Sequence, residues 1–419
     1  MPQSTRLSNG VRILTETIPQ VRSVSLGVWV KTGSRHDPAK KTGIAHFIEH
    51  MLFKGTTTRS ALQIAKEIDA LGGIMNASTG KEYTVYYIKV LDEHLQKASE
   101  VLFDIFLNSE LDPLEIEKEK KVVLQEIHMV EDSPEDLISE MFADAIFEDT
   151  SLGKPILGDA DSIGSILRND MMDHINSCYD ADSIIVAGAG NLEHEGLLGI
   201  AGNKFETVKS MTRSTSPVIK PRGLNHKAYE RDLEQIHFTL GVRGPSMREE
   251  KRWVYSVLNS ILGGSMSSML FQEIREKLGL VYSIYSYLNI YEDCGVLAVN
   301  AATTSENMVK TLEVLSEQMR KLKKGDFGGI KLDEVKAQMR GHILLSQEIT
   351  EHRMSSIAKN EMFFQREIPV EEIIEKINAV SEEELIELAG NIFTEENLTL
   401  VTLGRDVEEQ QKLPSVLQL

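Results

Sequence analysis

Cysteine is nearly absent from this 419-residue sequence: there are two, Cys178 and Cys294, far apart. They form no disulfide framework and no cysteine metal site. A reducing, cytoplasmic setting is therefore expected. Long apolar runs are also missing, so no segment reads as a membrane span. The first ten residues hold no basic stretch followed by an apolar one, so no signal peptide is expected. Positive charge is in deficit: 45 Lys and Arg against 64 Asp and Glu leave a formal −19. That balance argues against nucleic acid as a partner. It serves solubility, and it also suits an acidic surface that attracts basic peptides.

What remains is ordinary for a globular chain: 41% hydrophobic and 26% charged residues. The length exceeds one core and predicts two or three domains. Residues 208–223 are rich in Ser, Thr and Pro and lack periodicity. They divide the chain into near-equal halves, giving domains 1–210 and 223–419 with a linker at 211–222.

The halves read as a divergent repeat. Leu7, Asn9-Gly10 and Val11 predict an edge hairpin. Val24, Leu26, Val28 and Val30 alternate as a half-buried strand, and Ile236, Phe238, Leu240 and Val242 repeat that pattern. Strands are expected at 74–79 and 83–90. Long helix pairs follow in both halves, 91–127 and 305–343. The order predicts an α+β fold: two homologous domains, each a largely antiparallel sheet packed with helices.

The chemistry concentrates in His46-Phe47-Ile48-Glu49-His50. Ile44, Ala45, Ile48, Met51 and Leu52 recur at helical spacing, with Gly43 and Gly55 at the ends. On a helix His46 and His50 face one way, about 6 Å apart along the axis. Glu49 falls on the same arc. Two neutral imidazoles can hold zinc, and a carboxylate beside them that is not a ligand can take a proton from water. The spacing is H-x-x-E-H, the inverted zincin pattern. The second half has Trp253–Leu262 at this place, with no ligand in it.

A third ligand is expected further on. Asp112-Pro113 opens a helix on which Glu115, Glu119 and Glu126 project similarly. Glu126 has Val122, Val123 and Val130 as helical neighbours, at the edge of the buried face, where a carboxylate needs a partner. Periodicity alone does not choose among the three.

These residues resemble the pitrilysin (insulinase-like) family of inverted zincin metallopeptidases, in particular the short bacterial members similar to the mitochondrial processing peptidase β subunit. The likeness runs over nearly the whole chain. Gly43–Thr56 is similar to the metal segment and Glu119–Ile127 to the third-ligand segment. The resemblance implies one Zn²⁺ per chain on His46, His50 and Glu126, with Glu119 behind them and Glu49 as base. It implies an edge strand at Asn76-Ala77-Ser78-Thr79 along which peptide substrates lie. Leu270–Ser283 is similar to the segment of the family's Arg–Tyr pair, so Arg275 and Tyr282 are expected to hold the substrate carbonyl and backbone. Phe53, after His50, is expected to line an apolar side-chain pocket. Lys120 departs from the family's usual Arg, and the α subunit's glycine-rich loop is absent, so strict recognition of targeting presequences is not expected.

The reading is a zinc endopeptidase for short or unfolded peptides. Because a two-domain chain is half of the family's closed shell, the resemblance also implies a homodimer, each active site completed by the partner chain. The competing reading is a non-catalytic scaffold or a regulatory subunit of a protease or respiratory complex. Such subunits tend to lose the metal set, which is intact here.

Overall fold

The computed structural model describes residues 2–210 and 225–419. The expected linker, 211–222, lies outside them. In the first half, β1 (Gln3–Arg6), β2 (Arg12–Thr17), β3 (Ser23–Val30), β4 (Ile74–Thr79), β5 (Thr84–Leu91) and β6 (Ile184–Gly190) form one sheet in the order β1-β2-β6-β3-β5-β4. The β1–β2 hairpin turns at Asn9-Gly10, where Gly10 takes a φ of 112° that a side chain rarely adopts. In the second half, β7 (Asn225–Glu230), β8 (Ile236–Gly244), β9 (Val281–Ile290), β10 (Gly295–Thr303) and β11 (Thr399–Gly404) run β7-β11-β8-β10-β9.

Apart from β1, the two orders correspond strand for strand. Each sheet has one parallel pair, β2 with β6 and β7 with β11, and is otherwise antiparallel. In each parallel pair one member, β6 or β11, is the last strand of its half in sequence. This is the α+β repeat expected from the sequence.

The compact units are not linear in sequence. Val130–Gly153 belongs with the second sheet and Leu344–Ile368 with the first. The exchange is reciprocal. Helix Pro134–Ile146 lies on β7, β8 and β11, while helix Thr350–Phe364 lies on their counterparts β2, β3 and β6. Ile138 and Phe142 pack there with Val296, Ala298 and Val401.

That exchange corrects the reading of β3 as half-buried: seven of its eight residues are buried. Val24, Leu26, Val28 and Val30 face the main core with Ile13, Phe47 and Val101. The other face carries Ser25, Gly27 and the buried Trp29, and the two small residues let a helix sit close. Ser25 Oγ lies 2.8 Å from Thr350 Oγ1, and a Cβ on Gly27 would meet Met354 Sδ at 3.1 Å.

Strand β4 closes the sheet as an edge. Its residues alternate: Ile74, Asn76 and Ser78 are exposed, whereas Met75, Ala77 and Thr79 are half-buried. The inner three face the helix that carries the histidines, which packs on β4. Among the described residues, no helix is long and apolar enough to cross a membrane.

Candidate active site

The histidine motif lies on helix Ile44–Leu52, as the periodicity predicts. Ile44, Phe47, Ile48, Met51 and Leu52 are buried, which leaves His46, Glu49 and His50 on the remaining face. The helix starts at Gly43, whose φ of 86° is left-handed and which has no side chain to cap the first turn. Asp37, in the preceding loop, supplies the cap. Its Oδ2 accepts from Gly43 N–H at 2.7 Å and its Oδ1 from Ala45 N–H at 3.3 Å. Burial pushes the Asp37 carboxyl up to about 7, against those hydrogen bonds.

The second element is helix Pro113–Asp132. Asp112 caps it as expected, its Oδ1 accepting from Leu114 N–H at 2.7 Å. Of the three glutamates left open by periodicity, Glu119 is the buried one, 5% exposed. Its Oε1 accepts from His50 Nδ1 at 2.9 Å, and its other oxygen pairs with Lys54. Glu126 is half-buried and turns its Oε2 to 3.4 Å from His50 Nε2 and 3.7 Å from His46 Nε2. The valine setting read for Glu126 is only partial, because Val122 is exposed.

His46, His50 and Glu126 form the one group of three or more metal-capable side chains among the described residues, their ligand atoms all within 4.8 Å of one another. Gaps of 3.4 and 3.7 Å are at or beyond hydrogen-bond range. They are close to the separation of two donors on one tetrahedral zinc, roughly 3.3–3.6 Å for bonds of about 2.0–2.2 Å. Both histidines present Nε2, and His50 Nδ1 is fixed by Glu119, the usual outer hydrogen bond of a ligating histidine. His46 differs: its Nδ1 is buried without a partner. Burial first, and the neighbouring His50 second, hold the His46 imidazole down at about 4, so it stays neutral and able to ligate. The residues fit zinc.

Glu49 is not part of that triangle. Its Oε2 accepts a hydrogen bond from the Thr79 hydroxyl of β4. Burial raises its proton affinity, and the Thr79 bond works the other way. Sequence reading missed both Thr79 and Asp37. The alternation of β4 would have turned Thr79 inward beside Ala77. A helix starting at a bare glycine would have called for a cap from elsewhere. Asn76 is exposed on β4 and folds its side-chain carbonyl onto the Ala77 N–H at 2.8 Å. Phe53 is half-buried at the helix end, its ring 6.4 Å from that of Tyr86.

Arg275 and Tyr282 lie on the second unit. They meet through one bond: Arg275 Nε donates to the Tyr282 carbonyl at 2.9 Å. The Arg275 guanidinium stands 4.7 Å from the Phe271 ring centre and pairs with Glu276. Its helix, Phe271–Lys277, is wound wide, with Leu278 N–H donating to Glu273 O. Such turns are frequent at functional sites. The Tyr282 side chain is free in solvent, the residue 84% exposed.

A Glu119→Gln change tests the outer hydrogen bond. It removes the charge that meets Lys54 and weakens the acceptor for His50. Zinc affinity should fall about 10–100-fold, as for other outer partners of metal-ligating histidine, read by competition with a chromogenic chelator. Unchanged affinity would show that Glu119 serves only the fold.

Comparison with known proteins identifies the family. Residues 12–160 match the family model "Insulinase (Peptidase family M16)" and residues 165–339 match "Peptidase M16 inactive domain". The uncharacterized zinc protease YmxG of Bacillus subtilis is 40% identical over 390 residues, covering 93% of this chain and 95% of that one. An uncharacterized zinc protease of Mycobacterium bovis is 37% identical, covering 94% and 91%. A protease from Helicobacter pylori shares the fold with a TM-score of 0.89 at 22% identity, covering 96% and 99%. With relatives named as zinc proteases over nearly its whole length, the chain belongs to the insulinase (M16) peptidase family and is a zinc metallopeptidase.

Proposed function

We propose that the chain is an endopeptidase that cleaves short or unfolded peptides laid as an added strand beside β4. The observation that carries this is the bond from Thr79 to Glu49. It joins the base on the histidine helix to the edge strand, so that the proton acceptor and the peptide's seat are one unit.

One zinc per chain, on His46, His50 and Glu126, supplies Lewis-acid chemistry when bound, lowering the pKa of water and polarising a carbonyl. Glu119 holds the His50 ring in the tautomer that leaves Nε2 free. Glu49 accepts the proton of the attacking water and passes it to the leaving amine nitrogen. The peptide bonds to the free edge of β4 through its main chain, which gives broad sequence tolerance. Asn76 must release the Ala77 N–H as the peptide arrives, and Phe53 receives an apolar side chain.

Arg275 and Tyr282 hold the substrate carbonyl and the developing oxyanion. They come from the partner chain of a homodimer that encloses the substrate in a chamber. The setting is cytoplasmic, in keeping with two cysteines that form no disulfide. The scaffold reading loses its ground, since its mark is the loss of the metal set.

Strand addition requires an extended chain, so folded proteins should be refused. Incubate the purified protein with one polypeptide in native form and again after reduction and unfolding, and follow the products by mass spectrometry. Cleavage is expected only of the unfolded form. Equal cleavage of the native form would contradict the β4 seat, and cleavage of neither would contradict the proposed activity.

A further inference from the structure

The first unit contains a cavity of about 420 Å³ that the peptidase chemistry does not use. Its walls are the end of helix Leu95–Asn108, the end of helix Arg168–Cys178, the start of β6 at Ile184, and the end of helix His194–Phe205 with the turn after it. Phe106 and Tyr179 stack in its wall, ring centres 5.8 Å apart and planes 18° apart, with Ile175 and Val208 beside them. Lys204 and Lys209 also line it.

The charge pattern is unusual for this protein. The chain carries −19 overall, yet no Asp or Glu lines the cavity. Among the described residues, neither lysine has a carboxylate partner. Lys204, half-buried, and Lys209, exposed, each without a carboxylate beside this aromatic wall, suit one kind of ligand, an apolar body with a single anionic head. The volume is in the range of small-molecule sites.

The cavity wall also reaches toward the metal helix. Tyr179 Oη lies 3.2 Å from Tyr86 Oη, and the Tyr86 ring packs against Phe106 and Phe53. Phe53 caps the histidine helix. A ligand against the Phe106–Tyr179 stack therefore abuts a continuous aromatic column that ends at the metal-binding element.

We propose that this cavity is a binding site for small apolar carboxylates, and that its occupation alters the zinc affinity of the histidine helix. The second part rests on the proposed zinc ligands; the first does not.

The probe is 8-anilinonaphthalene-1-sulfonate, displaced by decanoate or by decan-1-ol. Decanoate should displace it from the wild-type protein at least about tenfold better than the alcohol, a factor in keeping with a charge-assisted hydrogen bond. In a Lys204→Gln, Lys209→Gln chain with wild-type melting temperature, that preference should shrink toward one. Equal potency of acid and alcohol, or a preference that survives in the variant, would overturn the site. Zinc affinity is then measured by chelator competition with and without saturating decanoate. It should shift in the wild type and not in the variant, which separates the effect from decanoate binding zinc itself. A wild-type affinity that does not move would overturn the coupling while leaving the binding result standing.

Discussion

A Glu49→Gln chain should retain its zinc, bind peptide and lose about two to four orders of magnitude in kcat, the usual cost of removing a general base. Glutamine has the same shape as glutamate and still accepts from Thr79, so β4 and the histidine helix stay joined. The ligand triangle of His46, His50 and Glu126 is untouched. What is lost is the proton acceptor alone. KM should change little, and metal content measured by atomic absorption should equal that of the wild type. Turnover within a few-fold of wild type would show that some other group takes the proton. Loss of zinc from the variant would show that Glu49 is a ligand.

The second large effect concerns assembly. Glu49→Gln and Arg275→Ala chains should each be nearly inactive. If sites are shared across a homodimer, a mixed dimer has one site with both defects and one with neither. Random pairing makes about half of all dimers mixed, and half of their sites intact, so mixing should restore about a quarter of wild-type activity. If every site lies within one chain, each keeps a defect and mixing restores nothing. Exchange of subunits must be verified independently, for example with a tagged chain.

How much of this was legible in the sequence depends on how local each feature is. The histidine helix was legible because His46, Glu49, His50 and its buried face share one 3.6-residue period within nine residues. The repeat was legible because alternation in β3 and β8 survives divergence. Helical spacing alone did not single out Glu126, since its contact with His46 and His50 is tertiary and Glu115 and Glu119 had equal claim; only the resemblance to the family's third-ligand segment pointed to it. Burial separates them: Glu119 lies behind His50, and Glu126 faces both imidazoles. Asp37 was missed because it caps a helix from outside it.

The reciprocal exchange of helices Pro134–Ile146 and Thr350–Phe364 was illegible for a related reason. An amphipathic helix states that it needs an apolar surface, not which sheet provides it. One trace of it stood in the sequence: on the second face of β3, Ser25 and Gly27 stand beside Trp29 and leave room for a helix close against the strand.

The peptidase is expected to work through zinc held by His46, His50 and Glu126. The most direct test measures zinc content and cleavage of a fluorogenic peptide on one preparation, before chelation, after chelation and after zinc is returned. About one zinc per chain is expected, with loss of cleavage as the metal leaves and recovery with zinc, while circular dichroism shows the fold retained, because each sheet has its own core. A Glu126→Gln chain should need more zinc to recover, since a neutral amide is a poorer ligand than a carboxylate. Undiminished cleavage by the metal-free protein would contradict this dependence on zinc.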